Sequence, residues 1–160
     1  MEKPIISRLD KGSEYILRLE GALSEDIDFS ETQFPNEGTL IIELDQLIKI
    51  NSCGIRNWIK WLEIKKPDQL KLIFRNCPKI FIEQLNVIKG IIPKGSIIES
   101  FYVPYYCEKD DSTKKVLYKL NNDFDKKGIK QLKTILCEFC QKPMELDALE
   151  HKYFAFLART

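Results

Sequence analysis

Three short aliphatic runs, separated by two stretches of helical periodicity, constrain this chain more than any other feature. Leu40-Ile41-Ile42-Glu43-Leu44, Leu70-Lys71-Leu72-Ile73-Phe74 and Ile97-Ile98-Glu99-Ser100-Phe101-Tyr102-Val103 have the length and β-branched content of strands. Between the first two, Ile55, Trp58, Ile59 and Leu62 recur at i, i+3, i+4 and i+7, one apolar stripe of a helix. Arg56, Asn57, Lys60 and Glu63 lie off the stripe, and Pro67-Asp68 closes the segment. Between the second and third runs, Pro78 suits the first position of a helix carrying Ile80, Phe81, Gln84, Leu85 and Ile88. Strands alternating with helices become parallel neighbours, because the crossover returns each strand to the same edge. The expectation is an α/β chain, a mixed sheet with helices packed on it.

Upstream, Ile5–Leu9 and Tyr15–Gly21 flank the turn cluster Asp10-Lys11-Gly12-Ser13, which reads as a β-hairpin. Residues 22–37 carry Glu25, Asp26, Asp28, Glu31 and Glu37 without a lysine or arginine, and read as a solvated loop or an acidic docking patch. Downstream of Pro104 the texture changes, and three of the five cysteines fall there. Residues 1–104 are therefore read as one domain and residues 105–160 as a small β appendage with a C-terminal helix. That helix is expected over Glu145–Leu157, where Leu146, Leu149, Tyr153 and Phe156 keep helical spacing. It docks on the appendage or the sheet, or serves a partner.

Charge and composition exclude several roles. The formal net charge of +1 gives no support to a bulk electrostatic nucleic-acid binder, and Lys126, Lys127, Lys130 and Lys133 read as a solvated face. No run approaches the roughly 18 apolar residues that span a bilayer. An odd cysteine count with no visible signal peptide predicts a cytoplasmic setting. One histidine, His151, leaves no His-rich metal centre, and the nucleophile-elbow pattern G-x-S-x-G is absent. The chain is expected to be non-enzymatic.

The segment Ile48-Lys49-Ile50-Asn51-Ser52-Cys53-Gly54-Ile55 leads into the first long helix. Asn51 or Ser52 suits the N-cap, whose side-chain oxygen accepts a first-turn N–H. Free N–H groups and the macrodipole there favour an anion, and Gly54 leaves room for a visiting backbone. Cys53 reads as a small plug, or as a thiol activated by the helix end. Cys77 reads as buried and structural.

Asn51-Ser52-Cys53-Gly54-Ile55 between strand and helix resembles the Asp-Ser-Ser-Gly-Leu signature of STAS domains, the family that includes the anti-sigma-factor antagonists. Leu40–Asp45 resembles the family's preceding strand, and the similarity spans roughly residues 5–104. Asn51 stands where the family has Asp, and Cys53 where it has a second hydroxyl. The resemblance implies a STAS-like sheet, phosphorylation at Ser52, and a partner surface of Asn51, Ser52, Cys53, Gly54 and Arg56. It also implies a protein partner such as an anti-sigma factor or a kinase-like regulator. A scaffold that no longer uses phosphorylation is the alternative.

Cys137-Glu138-Phe139-Cys140 repeats the spacing of Cys107-Glu108-Lys109-Asp110. Two such knuckles on opposing hairpins bring four ligands to a tetrahedron. The segment resembles a rubredoxin-like zinc ribbon whose second cysteine has become Asp110, with Cys107, Asp110, Cys137 and Cys140 as the metal set. Asp111 and His151 are other candidates for the fourth ligand. A metal-free relic held by Val116, Tyr118, Leu120, Phe124, Ile129, Leu132 and Ile135, a Cys137–Cys140 redox pair, and a nucleic-acid role for the tail remain alternatives.

Overall fold

A computed structural model describes residues 5–30, 32, 37–64 and 69–159. The hairpin β1 (Ile5–Lys11) and β2 (Glu14–Leu23) is antiparallel. β3 (Glu37–Glu43) lies parallel to β2, followed by β4 (Leu47–Ile50) and α1 (Ser52–Ile64). β5 (Gln69–Arg75) lies parallel to β3, followed by α2 (Lys79–Val87) and β6 (Ile97–Ile98), parallel to β5. The main sheet therefore runs β1-β2-β3-β5-β6, a mixed α/β architecture in which only the first hairpin is antiparallel. The end of helix α1 expected at Pro67-Asp68 lies outside the described residues.

The segment before α1 contains β4, which pairs with the far end of β2 rather than with β3. β2 is long enough for two partners, and its register shifts between Gly21 and Ala22. Gly21 has φ +83, which an L side chain tolerates poorly, and its N–H donates to the Gln46 carbonyl at 2.9 Å. This bulge carries Leu23 beside Ile50 and aims β4 into α1.

One sheet face and two helices form the core. Leu17, Leu19, Leu40, Ile42, Leu72 and Phe74 are buried with Ile55, Trp58 and Leu62 of α1 and Phe81, Ile82 and Leu85 of α2. Trp58 is fully buried, with ring centroids 6.1 Å from both Phe74 and Phe81. Its indole N–H donates to the Ile91 carbonyl at 2.7 Å, satisfying the one polar atom it buries. Trp61 is also buried, stacked 4.7 Å from Phe29.

The expected strand 97–103 is split at Glu99. Its amide donates to the Phe74 carbonyl, ending β6, and its carboxylate pairs with Arg75. β7 (Ser100–Cys107) then enters a second, antiparallel sheet with β8 (Ser112–Lys119) and β11 (Glu145–Leu146). The short pair β9 (Phe124–Asp125) and β10 (Gly128–Ile129) precedes the second cysteine loop. β7 runs through Pro104, and a single buried cluster draws residues from both sides of it. Phe101 packs at 5.0 Å from Phe124 and Phe156, and at 6.0 Å from Tyr118.

The C-terminal helix is shorter than its spacing predicts. Leu146 pairs with Tyr105 in β11, and Asp147 N–H donates to the Pro104 carbonyl, so sheet hydrogen bonds claim the first turn. Only α3 (Glu150–Tyr153) and a 3₁₀ turn (Ala155–Ala158) are helical. Leu149 is exposed, whereas Tyr153 and Phe156 are buried. The segment is tied to α2 by Asn86 Nδ2 donating to the Tyr153 carbonyl at 2.9 Å. Pro78 caps α2 from outside rather than occupying its first position, with its carbonyl accepting from Phe81 and Ile82.

A polar cluster also ties the two sheets. Tyr102 of β7 donates its hydroxyl to Asp45 at 2.6 Å, Gln46 donates to the same carboxylate, and Lys115 lies 4.5 Å over the Tyr102 ring. The Tyr102 hydroxyl holds the Asp45 carboxyl below its ordinary value. A depressed carboxylate contributes stability above its unfolded pKa of about 3.9 and loses it as pH falls toward the folded value. Tyr102→Phe is therefore expected to cost about 1 kcal/mol near neutrality. The difference from wild type should shrink below about pH 4, a trend checked by urea unfolding at several pH values.

Candidate functional site

The first site element is the entry to α1. Asn51 N–H donates to the Leu23 carbonyl, and the Asn51 carbonyl accepts from Ile55. Asn51 Oδ1 accepts the Gly54 N–H at 2.8 Å, so Asn51 is the N-cap. Ser52 is the first helical residue. It is exposed, and its hydroxyl has no hydrogen-bond partner among the described residues. Cys53 and Arg56 are exposed beside it.

Gly54 plays a different part from the one expected. It is buried, and a Cβ there would lie 2.1 Å from the Leu23 carbonyl oxygen and 2.5 Å from the Ser24 nitrogen. The room it leaves is filled by this chain's own β2 backbone, so Gly54 belongs to the packing beneath the loop and not to a partner surface.

Sequence reasoning placed Glu25 only in an acidic stretch and missed its contact with the helix cap. Its Oε2 accepts from Asn51 Nδ2 at 2.6 Å, placing a carboxylate beside the cap although residue 51 is itself neutral. Glu25's own backbone N–H, then the Asn51 amide, holds this exposed carboxyl below its usual range. Ile48, on the strand that feeds the loop, is 74% exposed.

The second element is the cysteine cluster. Cys107 ends β7, Asp110 lies in the turn to β8, and Cys137 and Cys140 lie in the second knuckle. One ligand atom from each of the four residues lies within 4.8 Å of the others. Cys107 Sγ is 3.6 Å from Cys140 Sγ and 3.6 Å from Asp110 Oδ2, and Cys137 Sγ is 3.4 Å from Asp110 Oδ2. A zinc tetrahedron with its usual bond lengths has S···S edges of about 3.8 Å and S···O edges of about 3.5 Å. The sulfur separation is far beyond a disulfide bond of about 2.05 Å.

Both loops use the same backbone device. The residue after each second ligand, Asp111 and Gln141, has positive φ, +47 and +58. That turn folds each loop back toward its own first ligand: Cys107 pairs with Ser112, and Cys137 N–H donates to the Lys142 carbonyl. Backbone N–H groups of Cys140 and Phe139 point at the Cys137 sulfur and pull its pKa down. Asp110, first among its neighbours, pushes the Cys140 thiol up to about 11. A dication held by these ligands would offset that penalty, because its charge stabilises the deprotonated thiolates. Cys107 and Cys137 are buried, Cys140 is half-buried and Asp110 faces solvent. Ser112 Oγ, 3.6 Å from Cys137 Sγ, was not foreseen from the sequence. Lys114 of β8 reaches the second knuckle through Glu138 at 2.6 Å.

Of the remaining sites singled out in the sequence, Cys77 is fully buried and its thiol is pushed up by burial, while His151 is exposed on α3. Lys133 is anchored to Asp123 at 2.9 Å and lies 4.7 Å over the Tyr118 ring, and Lys130 donates to the Asn121 carbonyl. No helix among the described residues is long and apolar enough to cross a membrane. No protein-family model matches this chain, and no curated protein matches it at a significant level.

Proposed function

We propose that this protein is a non-enzymatic interaction module, STAS-like in its main sheet, that docks a protein partner through the α1 entry loop and is switched by phosphorylation of Ser52. One observation carries the reading: Asn51 performs the capping, so the exposed Ser52 hydroxyl is left without a structural task. Ile48, Cys53 and Arg56 supply apolar and cationic contact around it. Glu25 supplies the carboxylate that the resemblance expects at residue 51.

A phosphate on Ser52 would add nearly two negative charges. The helix N-terminus favours them by roughly 0.3–1 kcal/mol. Burying them against a partner costs several kcal/mol unless a cation meets them. The modified loop is therefore stable in the free protein and poor at docking. The partner class, by resemblance, is an anti-sigma factor or kinase-like regulator in a cytoplasmic setting.

The cysteine cluster holds zinc in this reading, as a clip between the two knuckles. Three thiolates and one carboxylate fill a closed tetrahedron, which suits a structural ion.

Native pull-down followed by mass spectrometry identifies the partner and reports phosphate on Ser52. Ser52→Ala should bind that partner as wild type does, and Ser52→Asp should bind at least about tenfold more weakly, a loss of about 1.4 kcal/mol. Equal affinity of the two variants would refute the switch.

A further inference from the structure

We infer that the cavity between the end of α2, the loop 88–96 and the C-terminal 3₁₀ turn is a binding site for a small amphiphilic anion, an apolar body with one anionic head. The cavity is about 350 Å³, within the range of small-molecule sites. Leu85, Ile91 and Phe156 give it buried apolar walls. Its charged lining is of one sign: Lys89, Lys94 and Arg159, with no acidic residue.

The two lysines are exposed and have no ion-pair partner among the described residues. Arg159 is held in place by one hydrogen bond, Nη1 to the Asn86 carbonyl at 2.9 Å, which leaves the rest of its planar fork to donate elsewhere. An apolar ligand alone would leave these charges unanswered, and a simple inorganic anion would leave the walls wet.

An independent observation points to the same place. Ser96 lines the cavity, is 7% exposed, and buries its hydroxyl without a hydrogen-bond partner among the described residues. Buried hydroxyls are ordinarily paired. Ser96 therefore brings to the cavity wall a hydroxyl that no group among the described residues satisfies. The cavity also has a built-in reporter, because Ile91 in its wall accepts the indole N–H of Trp58.

The test uses decanoate as the probe, with tryptophan emission and calorimetry as readouts on the full chain. Decanoate is expected to bind saturably at one site per chain, below its micelle concentration, and decyltrimethylammonium is expected not to bind. The exposed double variant Lys89→Gln/Lys94→Gln should melt as wild type does and lose about tenfold or more in decanoate affinity. Ser96→Ala should weaken decanoate several-fold. Absence of saturable binding, equal binding of the cationic amphiphile, or unchanged affinity in either variant overturns the assignment.

Discussion

Gly54→Ala is expected to destabilise the protein by about 3 kcal/mol or more, although alanine is the best helix former. Two effects oppose each other at this position. Replacing glycine by alanine inside a helix ordinarily gains roughly 0.8–1.0 kcal/mol from backbone entropy. Here the added methyl would meet the Leu23 carbonyl carbon and oxygen at 2.3 and 2.1 Å, far inside contact distance, and both belong to backbone rather than to a side chain that could swing away. Relief requires α1 to lift from the end of β2. That movement breaks the Asn51–Leu23 hydrogen bond and unseats Ile55 and Trp58 from the core. The overpacking penalty therefore wins. Urea unfolding should show a lower midpoint with an unchanged slope, and Ser52→Ala, in the same helical turn and exposed, should stay within about 0.5 kcal/mol of wild type. A Gly54→Ala protein as stable as wild type would mean that α1 does not enter against β2.

The elements read well where one period governed a whole segment. β1 and β2 flank a glycine turn with φ +63 at Gly12, Leu17 and Leu19 of β2 are buried on either side of exposed Arg18, and α1 buries Ile55, Trp58 and Leu62 of its stripe. Reading failed where backbone partners outweighed side-chain pattern. β4 has only four residues, too few for alternation to register, and exists because a bulge at Gly21 gives β2 a second partner. The run 97–103 looks continuous, but Glu99 is claimed by Phe74 on one side and by Leu120 on the other. Helical spacing through Leu146 and Leu149 was real in the sequence and overruled by pairing with β7.

The same distinction applies to the sites. The knuckle spacing of Cys107/Asp110 and Cys137/Cys140 is local, so it was legible, and the chain brings the two halves together. Glu25 was not legible: it meets Asn51 across 26 residues of sequence, through a loop whose path nothing local dictates. Gly54 was noticed as a gap beside Ser52, but whether a partner or the chain itself fills a gap is decided by tertiary packing. The positive-φ positions after each knuckle are Asp111 and Gln141 rather than glycine, which hid the shared turn.

Cys137→Ser is expected to abolish stoichiometric zinc and to destabilise the tail by at least about 3 kcal/mol in the metal-replete protein. The segment between β10 and β11 has no helix and no strand longer than a single bridge, Leu136 with Pro143. Its buried anchors are few: Cys137 and Met144, with the Tyr105–Tyr118 hydroxyl pair at 2.7 Å receiving the Lys133 amide at its upstream end. Residues 134–143 therefore depend on the ligand cluster, and hydrogen exchange should report their opening before that of α1 or β3. Chelation of wild-type protein should reproduce the mutant's lower melting temperature, because either change leaves the ligands without a cation. The carboxylate ligand makes a sharper test in the opposite direction. Asp110→Cys completes a set of four thiolates and should raise zinc affinity, since sulfur suits this ion better than oxygen, whereas Asp110→Ala should lower it. Cys77→Ser is the control: buried in the core beside Phe101 and outside the cluster, it should cost stability with one zinc per chain retained by elemental analysis. If zinc content follows neither Cys137 nor Asp110, the two knuckles are held by packing alone.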